Sequence, residues 1–332
     1  MIDFGRAIQT AWERMTIILF QPFDIGKWGL LGFIAFLSML AEGGVSFNNP
    51  LSGLGQNQKT QPYITYPHSA QALKQFTVWM SDLPNNPWLK FMVCAAFGFL
   101  VIWLVLNWVG CRAQFVFLDN IVRNRAALAG PWQRYSQQGN VWFLFHLGLM
   151  VVSFLFLATA GGAFFFLNWG WLSSGRDPSG IEVATLVVIL LVFGVFGTIG
   201  TAIIFLIRTL VQPLYFKQTM SLGTALLAVM TLVFTRPVSI LIYLVLSFAI
   251  AIAAAFIACV AFACVFCGTL SIICWVSCFP FIGAMLLNML LCQVILPLLV
   301  FQRCFQLGVL EQFGPEYDVF NVDAPPPPMA GI

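Results

Sequence analysis

The chain alternates long apolar runs with short polar stretches. The longest run, residues 237–301, contains no Asp, Glu, Lys, Arg or His. Four more apolar blocks precede it, at residues 25–41, 88–118, 141–169 and 181–211. One crossing of a hydrocarbon core ~30 Å thick takes about 20 apolar residues. The pattern therefore predicts an all-α, polytopic transmembrane helical bundle.

The last run is too long for one helix, so we expect it to fold back at least once. Gly268 is a plausible turn and gives two helices, for a total of about six spans. Seven spans are the alternative, because Pro280 and Gly283 could mark a further break near the minimum span length. We favour six.

The positive charges are distributed unevenly between the two sides that six spans would create. Eleven basic residues fall on one side: Arg6, Arg14, Lys27, Arg112, Arg123, Arg125, Arg134, Arg208, Lys217, Arg236 and Arg303. Four fall on the other: Lys59, Lys74, Lys90 and Arg176. Cytoplasmic loops carry the excess of Lys and Arg. We therefore expect both termini to be cytoplasmic, which also favours an even number of spans.

The N-terminal segment has the pattern of an amphipathic helix. Within residues 3–20, the apolar side chains of Phe4, Ile8, Trp12, Met15 and Leu19 recur at helical spacing. This pattern predicts a helix that lies on the inner membrane surface before Pro22 turns the chain into the bilayer.

A similar element precedes the fifth span. Residues 15–16 and 230–231 are both Met-Thr, and each pair stands seven positions before a proline, Pro22 or Pro237. A third candidate at residues 129–140 has no matching proline. We expect three units, each a surface helix followed by a transmembrane hairpin. Chance similarity between two amphipathic segments is the alternative.

The domain organisation follows from these elements. Residues 1–313 form one transmembrane domain, with a polar periplasmic loop at about residues 42–87. We interpret this loop as a connector with a membrane-resting helix rather than a small binding lobe. Residues 314–332, which include four consecutive prolines, are expected to form a disordered cytoplasmic tail that could dock a protein partner.

Composition agrees with a membrane protein and excludes other classes. The chain is 60% hydrophobic and 8% charged, against about 25% charged residues in a soluble domain. Its net charge of +3 is small and its basic residues form no stripe, so we expect no nucleic-acid binding. Membrane lipids are the expected partners. The oligomeric state stays open.

Cysteines provide the first candidate for chemistry. On one continuous helix, Cys264, Cys267, Cys274 and Cys278 would share a face, with Cys259 close by. Four thiolates could bind a soft metal. A helix break at Gly268 would separate them, and free cysteine often serves as a small packing residue. We interpret the cluster as packing and expect no metal and no cofactor.

Polar groups at membrane depth are the second candidate, because their burial is costly. They are Asn107, His146, Asn168, Asn288 and Gln293, with Arg112, Glu182 and Arg208 near span ends. We expect Asn288 and Gln293 to join helices by hydrogen bonds. No span carries a central acid or a nucleophile with a base, so we assign no catalytic residue and expect no enzyme.

The two ends of the chain resemble a known group of proteins. LGVLEQFGPEYDVF at residues 307–320 looks like the closing signature of a family of uncharacterised bacterial membrane proteins. AWERMTIILFQPFDIGKWGLLGF at residues 11–33 is similar to its opening. More distantly, the surface-helix and hairpin plan resembles the membrane domain fused to glycerophosphoryl diester phosphodiesterases. The resemblance implies a six-helix inner-membrane fold and supplies no activity, since the phosphodiesterase catalytic domain is absent.

Two functions are compatible with this sequence. The first is a non-enzymatic membrane protein that organises protein or lipid partners, and we favour it. The alternative is a transporter or lipid-handling protein, since many transporters contain internal repeats. A polar cavity at mid-membrane reached by Asn107, Asn288 and Gln293 would favour the alternative.

Overall fold

The computed structural model describes residues 3–42, 87–167, 179–217, 221–268 and 280–320. Within these ranges the regular structure is entirely helical. The first helices are α1 (Phe4–Phe20), α2 (Ile25–Met39), α3 (Pro87–Val122), α4 (Ala129–Arg134), α5 (Ser136–Leu167) and α6 (Gly180–Leu206). The later ones are α7 (Gln212–Phe216), α8 (Leu222–Thr235), α9 (Pro237–Gly268), α10 (Pro280–Val294) and α11 (Leu296–Glu311).

Two short connecting turns depart from the α-helical pattern. Residues Leu40–Glu42 extend α2 as a 3-10 turn. Residues Ile207–Val211 form a π-helical turn between α6 and α7. A π-helical turn holds a wider ring of backbone hydrogen bonds than an α-helix and is found frequently at functional sites.

Four helices among the described residues are long and apolar enough to cross a membrane. They cover Lys90–Val122, Ser136–Leu167, Val183–Phe216 and Pro237–Ile257. Their outer side chains are large and apolar, as at Phe154, which is 70% exposed. A lipid environment would cover such a surface.

The expected count of six spans is not confirmed by the described residues. Asn288–Val294 and Leu296–Glu311 make a fifth candidate only if they count as one span bent by 66°. The bend falls where Pro297 opens α11, because proline cannot donate the helical hydrogen bond. The first expected span is the 15-residue α2, which is about 22 Å long and shorter than the hydrocarbon core. The threefold repeat is likewise not established.

The chain divides into two compact units. The first comprises Met1–Asn49, Asn107–Phe143 and Ala202–Ile332, and the second comprises Pro50–Leu106 and Leu144–Thr201. In the second unit, the Phe156 and Phe193 rings pack with their centroids 5.3 Å apart. The first unit holds the buried polar groups described below.

Helix α1 packs along α11, whereas the amphipathic pattern predicted only a helix lying on the inner membrane surface. The side chains that it buries are Ala7, Ala11, Met15, Ile18 and Leu19. A Cβ added to Gly308 of α11 would lie 3.7 Å from the Ala7 carbonyl oxygen, so the two backbones approach closely. Of the apolar side chains expected to share one face of this surface helix, Met15 and Leu19 are buried and Trp12 is 62% exposed. Small residues permit the close approach, and large ones are left at the edge.

The described part of the C-terminal tail packs on the first unit. The Gln312 side chain donates to the Asp3 carbonyl at 2.8 Å and accepts from the Asp3 backbone N–H at 2.7 Å. The Arg14 guanidinium lies 3.3 Å from the centre of the Phe320 ring, and Val319 is fully buried. Residues 314–320 are therefore held in turns, whereas the tetraproline segment lies outside the described residues.

Candidate functional site

The first unit contains a cavity of about 140 Å³. Six polar side chains line it: Ser38, Arg208, Thr209, Gln302, Arg303 and Gln306. They come from α2, from the π-helical turn and from α11, and four apolar side chains complete the wall. At roughly 30 Å³ per water molecule, the space could hold a few waters or one small group.

The described wall of this cavity carries two cationic side chains. Two of its lining side chains are arginines, and none of the described lining residues is acidic. Arg303 Nη1 donates to Gln306 Oε1 at 3.2 Å, and Gln306 is only 3% exposed. Guanidinium and amide N–H groups are hydrogen-bond donors, and both arginines have further interaction partners.

The π-helical turn positions two of these lining residues. Arg208 and Thr209 both belong to Ile207–Val211. The Thr209 hydroxyl donates to the Phe205 carbonyl at 2.9 Å, one helical turn earlier. The wider turn changes the direction in which side chains after Leu206 project, because it adds a residue to the helical repeat.

Two further hydroxyls are buried beside this turn. The Tyr243 hydroxyl of α9 lies near those of Thr209 and Ser247, and near the Arg303 charge. The Tyr243 and Ser247 oxygens make no hydrogen bond of ordinary geometry. Such buried groups retain the capacity to bond to a ligand or to water.

A buried glutamine ties together the helices around the cavity. Gln114 Oε1 of α3 accepts from Trp142 Nε1 and from Gln212 Nε2, both at 3.1 Å. Its Nε2 reaches the Ser38 carbonyl of α2 at 3.5 Å. All four residues are buried. This network fixes the relative positions of α2, α3, α5 and α7, because moving one helix would leave a buried amide without a hydrogen bond, which costs free energy.

A second buried polar group, Asp119, stabilises the turn after α3. It is completely buried and pairs with Arg123 Nε at 3.1 Å and with Arg125 Nε at 3.1 Å. The Tyr135 hydroxyl donates to it at 2.9 Å. Burial, and then the charge and hydrogen bond of Asp119, raise the pKa of Tyr135 to about 12. With both arginines engaged, this carboxylate has a structural role.

The adjacent Asn120 closes the same turn. Its amide donates to the Val116 and Ala127 carbonyls at 2.9 Å, and its Oδ1 accepts from the Ala127 backbone N–H at 2.8 Å. Sequence reasoning missed both residues. The available signal was an Asp-Asn pair directly after an apolar run, with arginines four and six positions beyond Asp119.

The residues singled out from the sequence lie mostly away from the cavity. Gln293 does join helices as expected, because its Nε2 donates to the Gly29 carbonyl of α2 at 3.1 Å. Asn107 is buried one turn from Cys111. Neither of these nor Asn288 lines the cavity. Arg208 does, although sequence reasoning placed it only near a span end.

Other expected positions are only partly described. His146 is buried, and Arg112 Nη2 donates to Asn140 Oδ1 at 2.8 Å. Asn168, Cys274 and Cys278 lie outside the described residues, as do the side chains of Glu182, Cys264 and Cys267. Cys259 is exposed. Within the described part of the chain, no group of three His, Cys, Asp or Glu is arranged to hold a metal.

The fold and the buried polar groups define a class: an all-helical protein whose long apolar helices are compatible with several membrane crossings. The chain belongs to DUF7544, a family of unknown function, whose family model matches residues 4–320. The match covers residues 11–33 and 307–320, the two stretches that carry the resemblance, and it agrees with the expectation of a family without an established activity. No curated protein and no solved structure matches the chain.

Proposed function

We propose that this protein is a non-enzymatic organiser of lipid and protein partners in a bacterial inner membrane, with both termini in the cytoplasm. The observation that carries the proposal is the edge of α1. Ile8 and Trp12 lie exposed beside the face that docks on α11, and Trp12 pairs edge-on with Phe301 of α11 at 6.3 Å.

This edge suits the boundary between lipid and water. Ile8 and Trp12 are apolar, while Gln9 and Glu13 form a hydrogen-bonded pair at 3.1 Å farther around the helix. A helix with adjoining apolar and polar arcs lies in the interface plane, and tryptophan prefers that depth. The short helix α8 exposes Phe234 to 77%, which supports a second contact with lipid.

The proposal retains six crossings arranged as three units. A short helix precedes each pair of longer ones: α1 before α2 and α3, α4 before α5 and α6, and α8 before α9 and the bent α10–α11 pair. This recurring order supports the repeat. It requires α2 to cross with the help of the turn that follows it.

The non-enzymatic part of the proposal is supported by the engagement of Asp119. A general base must be free to accept a proton from substrate, whereas this carboxylate is completely buried and paired with two arginines. A protein partner would bind the proline-rich tail, which follows directly after the packed residues that end at Phe320.

Native mass spectrometry of the protein extracted with its own membrane patch tests the proposal. Deletion of residues 321–332 removes the tail and retains the packed contacts of Phe320 and Val319. We expect a protein partner of fixed stoichiometry that this deletion releases. If the full chain and the deletion variant carry the same protein partners, or neither carries any, the tail does not organise a protein partner.

A second measurement tests the lipid contact. We expect brominated lipids to quench the fluorescence of Trp12 in bilayers, measured as the difference between the wild type and Trp12→Phe. The fully buried Trp142 provides the matched control through Trp142→Phe. Quenching that is unchanged by Trp12→Phe would contradict a membrane position for this edge.

Lipid handling remains the second candidate, and one observation favours it. The arginine-lined cavity is a polar space inside the first unit. It differs from the cavity expected of a transporter, because Asn107, Asn288 and Gln293 do not line it.

A further inference from the structure

We propose that Arg112 and the two indoles beside it form a binding site for the phosphate of an anionic phospholipid at the edge of the membrane. The site comprises Trp108 and Arg112 of α3, Trp132 of α4 and Asn140 of α5. It presupposes the membrane location but not the organising role, and it is separate from the edge of α1. Converging hydrogen-bond donors, the charge of Arg112 and the position along the helices support it.

Three N–H donors converge on a single neutral oxygen in this cluster. Arg112 donates to Asn140 Oδ1 from Nε at 3.0 Å and from Nη2 at 2.8 Å. Trp108 Nε1 donates to the same oxygen at 2.9 Å. A carbonyl oxygen has two lone pairs, so the donors outnumber the acceptor sites at this point. An anionic oxygen beside Asn140 would use the surplus, because charge-assisted hydrogen bonds are roughly twice as strong as neutral ones.

The guanidinium of Arg112 keeps its charge and part of its edge for such a ligand. The described residues place no carboxylate within ion-pair distance of it. Its central carbon lies 4.3 Å from the centre of the Trp108 ring and 5.6 Å from that of Trp132. A ring that stacks on a guanidinium face leaves the in-plane N–H groups available. Asn140 engages two of the five N–H groups, so the others can bind two phosphate oxygens.

The cluster lies where the exposed apolar surface of two helices ends. On α3, the last large apolar side chain that is exposed is Val105, at 52%, and Trp108 and Arg112 follow about one and two turns later. On α5, Asn140 is exposed, and Leu144, one turn later, is 65% exposed. Helix α3 has 36 residues, about 54 Å, so it extends beyond ~30 Å of hydrocarbon. The cluster therefore falls at headgroup depth, where tryptophan is enriched.

The openness of the site favours a lipid over a free ion. Arg112 is half-buried and Asn140 is exposed, so water and salt would compete strongly with a free phosphate ion. A phospholipid is held at this depth by its acyl chains, which raises the effective concentration of its phosphate. A choline headgroup would bring a second cation close to Arg112, whereas an anionic headgroup would not.

The test uses the full-length protein in a nonionic detergent and native mass spectrometry. Phosphatidylglycerol is titrated into the protein, with phosphatidylcholine of the same chain length as the matched lipid. We expect one phosphatidylglycerol per chain to be retained, weaker retention of phosphatidylcholine, and no displacement by inorganic phosphate. Equal retention of both lipids, or retention of neither, overturns the proposal. Displacement of phosphatidylglycerol by inorganic phosphate identifies a free-ion site and overturns the assignment to a lipid.

Variants assign the binding to this cluster. Arg112→Gln removes the charge-assisted donors and should weaken retention of phosphatidylglycerol by about tenfold or more. Asn140→Asp keeps the side-chain size and gives Arg112 a carboxylate of its own, so it should abolish retention and preserve the fold. Arg134→Gln is the matched control and should retain the lipid as the wild type does. It removes one exposed charge from α4, where Arg134 stacks on Tyr135.

Thermal unfolding of the same variants separates a binding role from a purely structural one. A cluster that only joins helices would melt lower in Arg112→Gln and normally in Asn140→Asp, with lipid retention unchanged in both. That result overturns the proposal. A loss of retention in Arg134→Gln as large as in Arg112→Gln overturns it too, because it would show a general attraction between charges. If one of the two cluster variants does not fold, the other decides by the same criterion.

Discussion

Replacing Gly110 by alanine should destabilise the protein, because α3 there touches the turn that follows α2. A Cβ added to Gly110 would lie 2.4 Å from the backbone nitrogen of Ala41, 2.8 Å from its Cβ and 3.0 Å from its Cα. Carbon atoms normally pack at about 3.5–4.0 Å. The two backbones would have to separate by about 1 Å, since no flexible side chain can move aside.

The cost follows from the overpacking of a close contact and is about 1–3 kcal/mol. Gly98 on the same helix is the matched control, because a Cβ there meets nothing within 4 Å. Gly98→Ala should be neutral or stabilising by up to about 1 kcal/mol, since alanine favours the helix. The difference between the two variants is therefore about 1–4 kcal/mol.

Thermal unfolding in one detergent, followed by tryptophan fluorescence, measures this difference. At roughly 2 °C or more per kcal/mol, Gly110→Ala should melt at least about 2 °C below Gly98→Ala. Equal melting temperatures for the two variants would refute the reasoning, because they would mean that α3 and Ala41 are not in backbone contact.

Three further changes test the buried polar groups. Asp119→Asn leaves two arginines near a neutral amide and should destabilise by about 3 kcal/mol, measured as denaturation midpoint against wild type. Gln114→Leu leaves an indole and an amide unpaired and should cost about 1–3 kcal/mol; an unchanged midpoint would contradict the network. The raised pKa of Tyr135 means that it ionises in the unfolded chain near pH 10 and in the fold near 12. The contribution of Tyr135 to the free energy of unfolding is therefore full below pH 10 and is lost as the pH rises towards 12. In alkaline unfolding experiments, Tyr135→Phe should lack this decrease of stability with pH.

The long helices were predictable because lipid imposes a simple rule on composition. Residues 88–118 and 141–169 were expected to be apolar spans, and the structure places candidate spans over Lys90–Val122 and Ser136–Leu167. Any spanning helix must be about 20 apolar residues long. That requirement is local and can be read directly from the chain.

The face of a docked helix was less predictable. The spacing in α1 predicted an apolar side that rests on the membrane surface and includes Ile8 and Trp12, and it did not predict that Ala7 and Ala11 are buried in a contact with α11. Hydrophobicity orders residues by size, whereas helix association in lipid depends on how closely the backbones approach. Small residues therefore occupy the contact between the helices, and a hydrophobicity pattern does not identify them.

The cavity could not be predicted because its parts are distant in sequence. Arg208 was noted near a span end and Arg303 only as a cytoplasmic charge. Their shared wall depends on the tertiary arrangement of the π-helical turn Ile207–Val211 against α11. No local pattern records that two helices far apart in the chain direct arginines into one space.

The crossing of α2 is the step on which the proposed topology depends. This helix has 15 residues, about 22 Å, against ~30 Å of hydrocarbon. If α2 and the five later candidates all cross, Lys59 lies outside and Asp323 lies in the cytoplasm, as the distribution of basic residues predicts. We expect a membrane-impermeant maleimide to label Lys59→Cys but not Asp323→Cys in intact spheroplasts. Labelling of the wild type measures the background from the native cysteines. Labelling of Asp323→Cys after lysis shows that this thiol can react once the reagent reaches it. Exclusion of the reagent from both sites until lysis would mean that α2 enters and leaves on one side. Because Lys59 and Asp323 would then lie on the same side, the number of crossings between them would be even, and at most four of the five candidates after residue 59 would cross.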